Sequence, residues 1–101
     1  MKTELTIEQS ARLIEIGVDA SLASKCQNTK TSENPIFTLS DLLSILPKRI
    51  RVYFFNAHIN KDGAEASYVS ETSWLACYTA PELIDVLYLL LVWVVENGYI
   101  K

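Results

Sequence analysis

Residues 49–79 read RIRVYFFNAHINKDGAEASYVSETSWLACYT, and the architecture turns on them. RIRVYFFNAHI is rich in β-branched and aromatic residues, which fit a pleated, half-buried surface. NKDG follows it with hairpin chemistry, Gly63 being able to take a positive φ. AEASYVS and SWLACYT form two more short strands joined near Glu71 and Thr72, so an antiparallel three-stranded meander is expected. With residues 60–63 as the first turn, Ile59 faces Ala64, Ala57 faces Ala66 and Phe55 faces Tyr68. One face then carries Tyr53, Phe55, Ala57, Ile59, Ala64, Ala66 and Tyr68. The same register across a two-residue second turn adds Leu75 and Cys77, and this is the expected core face.

The opposite face collects Val52, Phe54, Val69, Trp74, Ala76 and Tyr78, with Asn56, His58, Glu65 and Ser67 toward the hairpin end. Contiguous aromatics on a sheet face mark a surface that something covers, either a helix of the same chain or a second subunit. Phe54, Val69, Trp74 and Tyr78 are therefore candidate interface residues.

Helices flank the meander on both sides. In LTIEQSARLIEIGVDASLASK, Thr6 stands three residues before Gln9, the spacing of a capping box, and a helix from Ile7 to about Gly17 is expected. One short helical turn is expected in DASLASK. FTLSDLLSILP repeats the pattern with Thr38 and Asp41, and Pro47 stops that helix. Between them CQNTKTSENP, residues 26–35, is polar and ends in proline, so it reads as a loop. At the other end Thr79 and Pro81 are expected to open a last helix, Thr79 as its cap and Pro81 in its first turn. The expected fold is thus a single α+β domain over residues 1–101: two N-terminal helices, the meander, and a long C-terminal helix packed on the sheet.

That last helix contains a run from Leu83 to Val95 in which only Asp85 is polar. A membrane span needs about 20 apolar residues, so the run is too short to be one. On a helical wheel Glu82, Asp85 and Glu96 form one stripe, expected to face water, yet Leu89 and Val92 lie within it and Tyr88 and Trp93 border it. These four are the remaining candidate interface residues. Residues 36–55 of the same chain or another subunit would cover them, and a homodimer contact through this strip or the aromatic sheet face is expected.

Composition narrows the function. The 101 residues are half hydrophobic and carry a net charge of −3, within the ordinary globular range. Residues 1–51 hold seven Lys/Arg and six Asp/Glu, against two and six in residues 52–101. Basic residues cluster only at Lys48, Arg49 and Arg51, which disfavours a nucleic-acid partner. Cys26 and Cys77 lack metal-ligand spacing, and MKTELTIEQS has no signal-peptide core, so a cytoplasmic protein with free thiols is expected. Cys26 is expected in a loop and Cys77 in the core.

No metal, cofactor or small-molecule substrate is expected. The three glycines, at 17, 63 and 98, build no phosphate loop, and no glycine-flanked serine elbow exists. His58 opposite Glu65 reads as a strand-surface ion pair, and the chain is not expected to be an enzyme. The two N-terminal helices suggest a DNA-binding regulator as the alternative function. However, FTLSDLLSILPK shows only serine and aspartate outward, where a recognition helix needs Arg, Asn, Gln or Lys.

LTIEQSARLIEIGVDAS, FTLSDLLSILPKRI and APELIDVLYLLLVWVVENGYIK together resemble small uncharacterised proteins of Bacteroides-type gut bacteria and their prophages and mobile elements. The resemblance spans most of the chain outside the 25–35 segment and the hairpin. It implies a cytoplasmic, phage-linked origin and supplies no site residues. A protein–protein interaction module, binding itself or another protein, is the expected function.

Overall fold

The computed structural model describes residues 2–28 and 32–99. It is an α+β fold whose elements run α1 (Ile7–Glu15), a 3-10 turn (Ala20–Leu22), β1 (Lys25–Asn28), β2 (Glu33–Ile36), α2 (Leu39–Ile45), β3 (Arg49–Ile50), β4 (Tyr53–Asn60), β5 (Gly63–Val69), β6 (Trp74–Ala80) and α3 (Leu83–Glu96). β3 to β6 form one antiparallel sheet in the order 3-4-5-6, and β1 pairs with β2 in a separate ribbon.

Both N-terminal helices start at the capping boxes their sequences announce. Thr6 Oγ1 accepts from Gln9 N and Gln9 Oε1 from Thr6 N, each at 3.1 Å. At α2, Asp41 Oδ2 accepts from Thr38 N, Ser24 N and Ser24 Oγ, each at 2.9 Å, so one carboxylate caps the helix and ties it to the segment before β1. Partial burial raises the Asp41 pKa, but these hydrogen bonds to the charged form outweigh it and hold the group below the usual carboxylate value.

Two elements depart from the sequence reading at the N-terminal side of the sheet. Residues 25–28 and 33–36 are strands rather than loop, the tip at 29–31 lying outside the described residues. β1 is exposed throughout, so its backbone pairing leaves no hydrophobic alternation to read. Its partner strand is anchored by buried Ile36 and Phe37, where Leu5 N donates to the Phe37 carbonyl and Phe37 N donates to the buried Ser10 hydroxyl. The expected single strand 49–59 is broken at Arg51, whose φ of 56° reverses the chain so that Ile50 pairs with Tyr53 and Arg49 with Phe54. The sheet therefore has four strands, not three. Arginine is an unusual residue for that conformation, and no Gly, Asn or Asp marks the turn.

The β4–β5 register is the expected one, with Ile59 opposite Ala64, Ala57 opposite Ala66 and Phe55 opposite Tyr68. The β5–β6 register is not. Tyr68 pairs with Ala76 but Val69 with Trp74, leaving Leu75 as the extra residue of a bulge. Beyond the bulge the faces swap: Ala76, Tyr78 and Ala80 join buried Ala64, Ala66 and Tyr68 on the helix side, whereas Cys77 is exposed on the other. The assignments of Cys77 to the core and of Ala76 and Tyr78 to the open face are corrected accordingly.

α3 packs on β5 and β6 and is also in contact with α2. Ile84, Val86, Leu87, Leu90, Leu91 and Val94 are fully buried, so a helix apolar on nearly every side is covered on nearly every side. Its polar stripe faces water in part: Glu96 is exposed, whereas Asp85 is largely covered. Asp85 accepts from Lys2 Nζ at 3.0 Å and Gln9 Nε2 at 3.3 Å, while Glu96 lies 3.8 Å from Arg12. The N-cap is Glu82, without a side-chain cap; Thr79 belongs to β6 instead. Among the described residues no helix is long and apolar enough to cross a membrane.

Candidate functional site

The face of the sheet turned away from α3 carries the candidate site. Arg49, Phe54, Val69 and Trp74 are consecutive cross-strand partners, forming one transverse row over β3, β4, β5 and β6. Strand spacing of about 4.8 Å places Phe54 and Trp74 roughly 10 Å apart with Val69 between them. Trp74 is 71 % exposed, Phe54 56 % and neighbouring Val52 59 %. The Arg49 guanidinium lies 5.2 Å from the Phe54 ring centroid, and its Nε donates to the Arg51 carbonyl at 2.6 Å. That bond fixes the cation over the aromatic ring before any partner arrives.

The Ser70–Ser73 turn closes the same end of the face. Ser70 N donates to the Ser73 carbonyl at 2.8 Å, and the Ser70 hydroxyl accepts from Ser73 N at 3.1 Å. One shallow hollow on this turn is bounded by Trp74, and another by Arg49, Val52 and Phe54, with Glu71 at the rim of both. The row is thus apolar at its centre, framed by hydroxyls and by charges of both signs.

Toward the hairpin tip the face is polar. Glu65 Oε2 is 3.1 Å from His58 Nε2, and Glu65 Oε1 accepts the Cys77 thiol at 3.1 Å. The order is thiol, carboxylate, imidazole, whereas nucleophilic catalysis places the imidazole in the middle, where it can take the thiol proton. Here the thiol is instead held protonated: the hydrogen bond to Glu65 raises the Cys77 pKa, and burial and the carboxylate charge act in the same direction. Among the described residues no group of three or more His, Cys, Asp or Glu is placed to hold a metal ion. Alkylation of Cys77 by iodoacetamide at neutral pH is therefore expected to be slow for so exposed a thiol, and several-fold faster in Glu65→Gln. Equal rates in the two proteins, followed by mass spectrometry of the Cys77 peptide, would contradict this account of the cluster.

The expected interface residues fall into two groups. Phe54, Val69 and Trp74 share the open row, whereas Tyr78 lies on the helix side, packed against the core. On α3, Tyr88, Val92 and Trp93 are half-buried against the core, and Tyr99 stacks on Trp93 with ring centroids 5.5 Å apart. Leu89 alone of these four is exposed, at 39 %. Arg49 was not legible as a member of the site, because only the Arg51 reversal brings it beside Phe54. The N-terminal helices are separated by residues 16–38, which include the β1–β2 ribbon, so they are not joined by the short turn of a helix-turn-helix unit.

No protein-family model, curated protein or solved structure matches this chain.

Proposed function

We propose that this protein is a non-catalytic protein–protein interaction module whose contact surface is the open sheet face around Phe54, Val69 and Trp74. The observation that carries the reading is the transverse row, in which two large aromatic side chains more than half exposed are mounted on paired strands of a rigid sheet. Interface hot spots are enriched in tryptophan and arginine, and a ring held by a sheet loses little conformational freedom on binding. The outer strip of α3 is the weaker surface, since three of its four residues are already half-buried within the chain. A cytoplasmic setting and a phage or mobile-element origin belong to the same proposal, on the strength of the resemblance in the sequence.

The test compares immobilised wild type with the double variant Phe54→Ser, Trp74→Ser in capture from cells that express the protein natively. Both side chains are exposed, so the variant is expected to fold, with circular dichroism and thermal melting as controls. A protein retained by wild type and lost from the variant supports the reading. Identical capture by the two would exclude this face as the contact surface.

A further inference from the structure

We propose that the occupant of the open face is a second copy of this chain, packed sheet to sheet about a two-fold axis that runs parallel to the strands between β4 and β5. This rests on the interaction-module reading and adds the partner's identity. The argument is how charge is distributed across the face. The half formed by β3 and β4 carries Arg49, His58 and the Arg51 turn; the half formed by β5 and β6 carries Glu65 and the Glu71 turn. Both turns lie at the same end of the sheet, one on each side of its midline. His58 and Glu65 are direct cross-strand partners and so lie level with each other along the strands.

A two-fold interface must be complementary to itself. An axis along the strands leaves that end in place and exchanges the two halves. It therefore sets the Arg51 turn of one copy over the Glu71 turn of the other, and Arg49 over the other copy's Trp74. It also sets Phe54 over Val69 and His58 over Glu65. Each contact occurs twice by symmetry, and each pairs opposite charges, a cation with an aromatic ring, an imidazole with a carboxylate, or two apolar groups. An axis at right angles to the strands through this row would instead stack Arg49 on Arg49, and one through the middle of the face would set both turns over the hairpin end of the other copy. Neither Arg51 nor Glu71 has an ion-pair partner among the described residues.

The area is that of a weak dimer. With the axis between β4 and β5, those two strands overlap along their eight and seven residues, whereas each β6 meets only the two-residue β3, so the overlap is roughly 300 Å² in projection. The relief of Trp74, Phe54, Val52 and the two turns raises the accessible surface toward the about 600 Å² per copy at which specific interfaces begin. Such a face associates in the micromolar range rather than permanently.

Sedimentation equilibrium of the full chain from about 1 to about 100 µM tests the proposal, with Arg51→Glu, Glu71→Arg and the double exchange R51E/E71R. Wild type is expected to dimerise, each single reversal to weaken association at least tenfold, and the double exchange to recover most of it. Circular dichroism confirms that each variant folds. A wild type that stays monomeric across the range overturns the proposal. So does a dimer indifferent to the single reversals, or one not rescued by the exchange. The capture experiment separates this failure from that of the parent reading. A monomer that still loses a captured partner in the Phe54→Ser, Trp74→Ser variant keeps the interaction face and loses only self-association. A monomer whose capture is unchanged in the variant loses both.

Discussion

Gly63→Ala is expected to destabilise the protein by about 2–4 kcal/mol, through backbone strain and overpacking together. Gly63 ends the β4–β5 turn with φ 144°, a conformation that L side chains rarely adopt. Space is short as well. A Cβ there would lie 2.6 Å from the Ala80 carbonyl oxygen and 3.2 Å from Pro81 Cα, both backbone atoms of the junction between β6 and α3. Neither can rotate away, so the hairpin tip or the start of α3 must shift. In a chain of this length such a loss lowers Tm by roughly 10–25 °C. Gly98 supplies the control, since it shares the positive φ, at 77°, but has nothing within 4 Å of the added atom. Gly98→Ala should cost only about 1 kcal/mol. Equal melting temperatures for the two variants would show that close approach to Ala80 and Pro81 is not what requires glycine at 63. The same close approach bears on the candidate site, because Gly63 pairs with Asn60 and begins the register that places Val69 beside Phe54.

Leu90→Ala is the second large effect, expected at about 3–4 kcal/mol in urea or thermal unfolding. Leu90 is fully buried on α3, and its truncation removes apolar contact and leaves a cavity where sheet and helices meet. Leu89 is its neighbour in sequence but 39 % exposed, and Leu89→Ala should cost under about 1 kcal/mol. Comparable losses at 89 and 90 would mean that the outer strip of α3 is as firmly covered as the inner, as a contact with another subunit there would require. A large difference leaves the sheet face as the principal open surface.

Local signals carried much of the fold. Thr6 with Gln9 and Thr38 with Asp41 announced two helix starts, because a cap needs only residues three apart. NKDG and the alternation on either side of it announced the β4–β5 register, because a short turn leaves few ways to pair its strands. The open row was half legible: Phe54, Val69 and Trp74 came from register, while Tyr78 was misplaced by a bulge that no glycine or charge marks. A one-residue slip exchanges the two faces of a strand, which moved Cys77 out and Tyr78 in.

By itself, then, the sequence determined what depends on neighbours in the chain: the capped helices, the central hairpin, and a terminal run too short to span a bilayer. Tertiary structure alone decided the rest. It brought α2 against α3, and it turned Arg51 into the reversal that brings Arg49 over Phe54. It also inserted Leu75 as a bulge, and so chose which aromatics face outward. Each of these arises from packing between residues distant in sequence, whose free energy exceeds the weak local preferences it overrides.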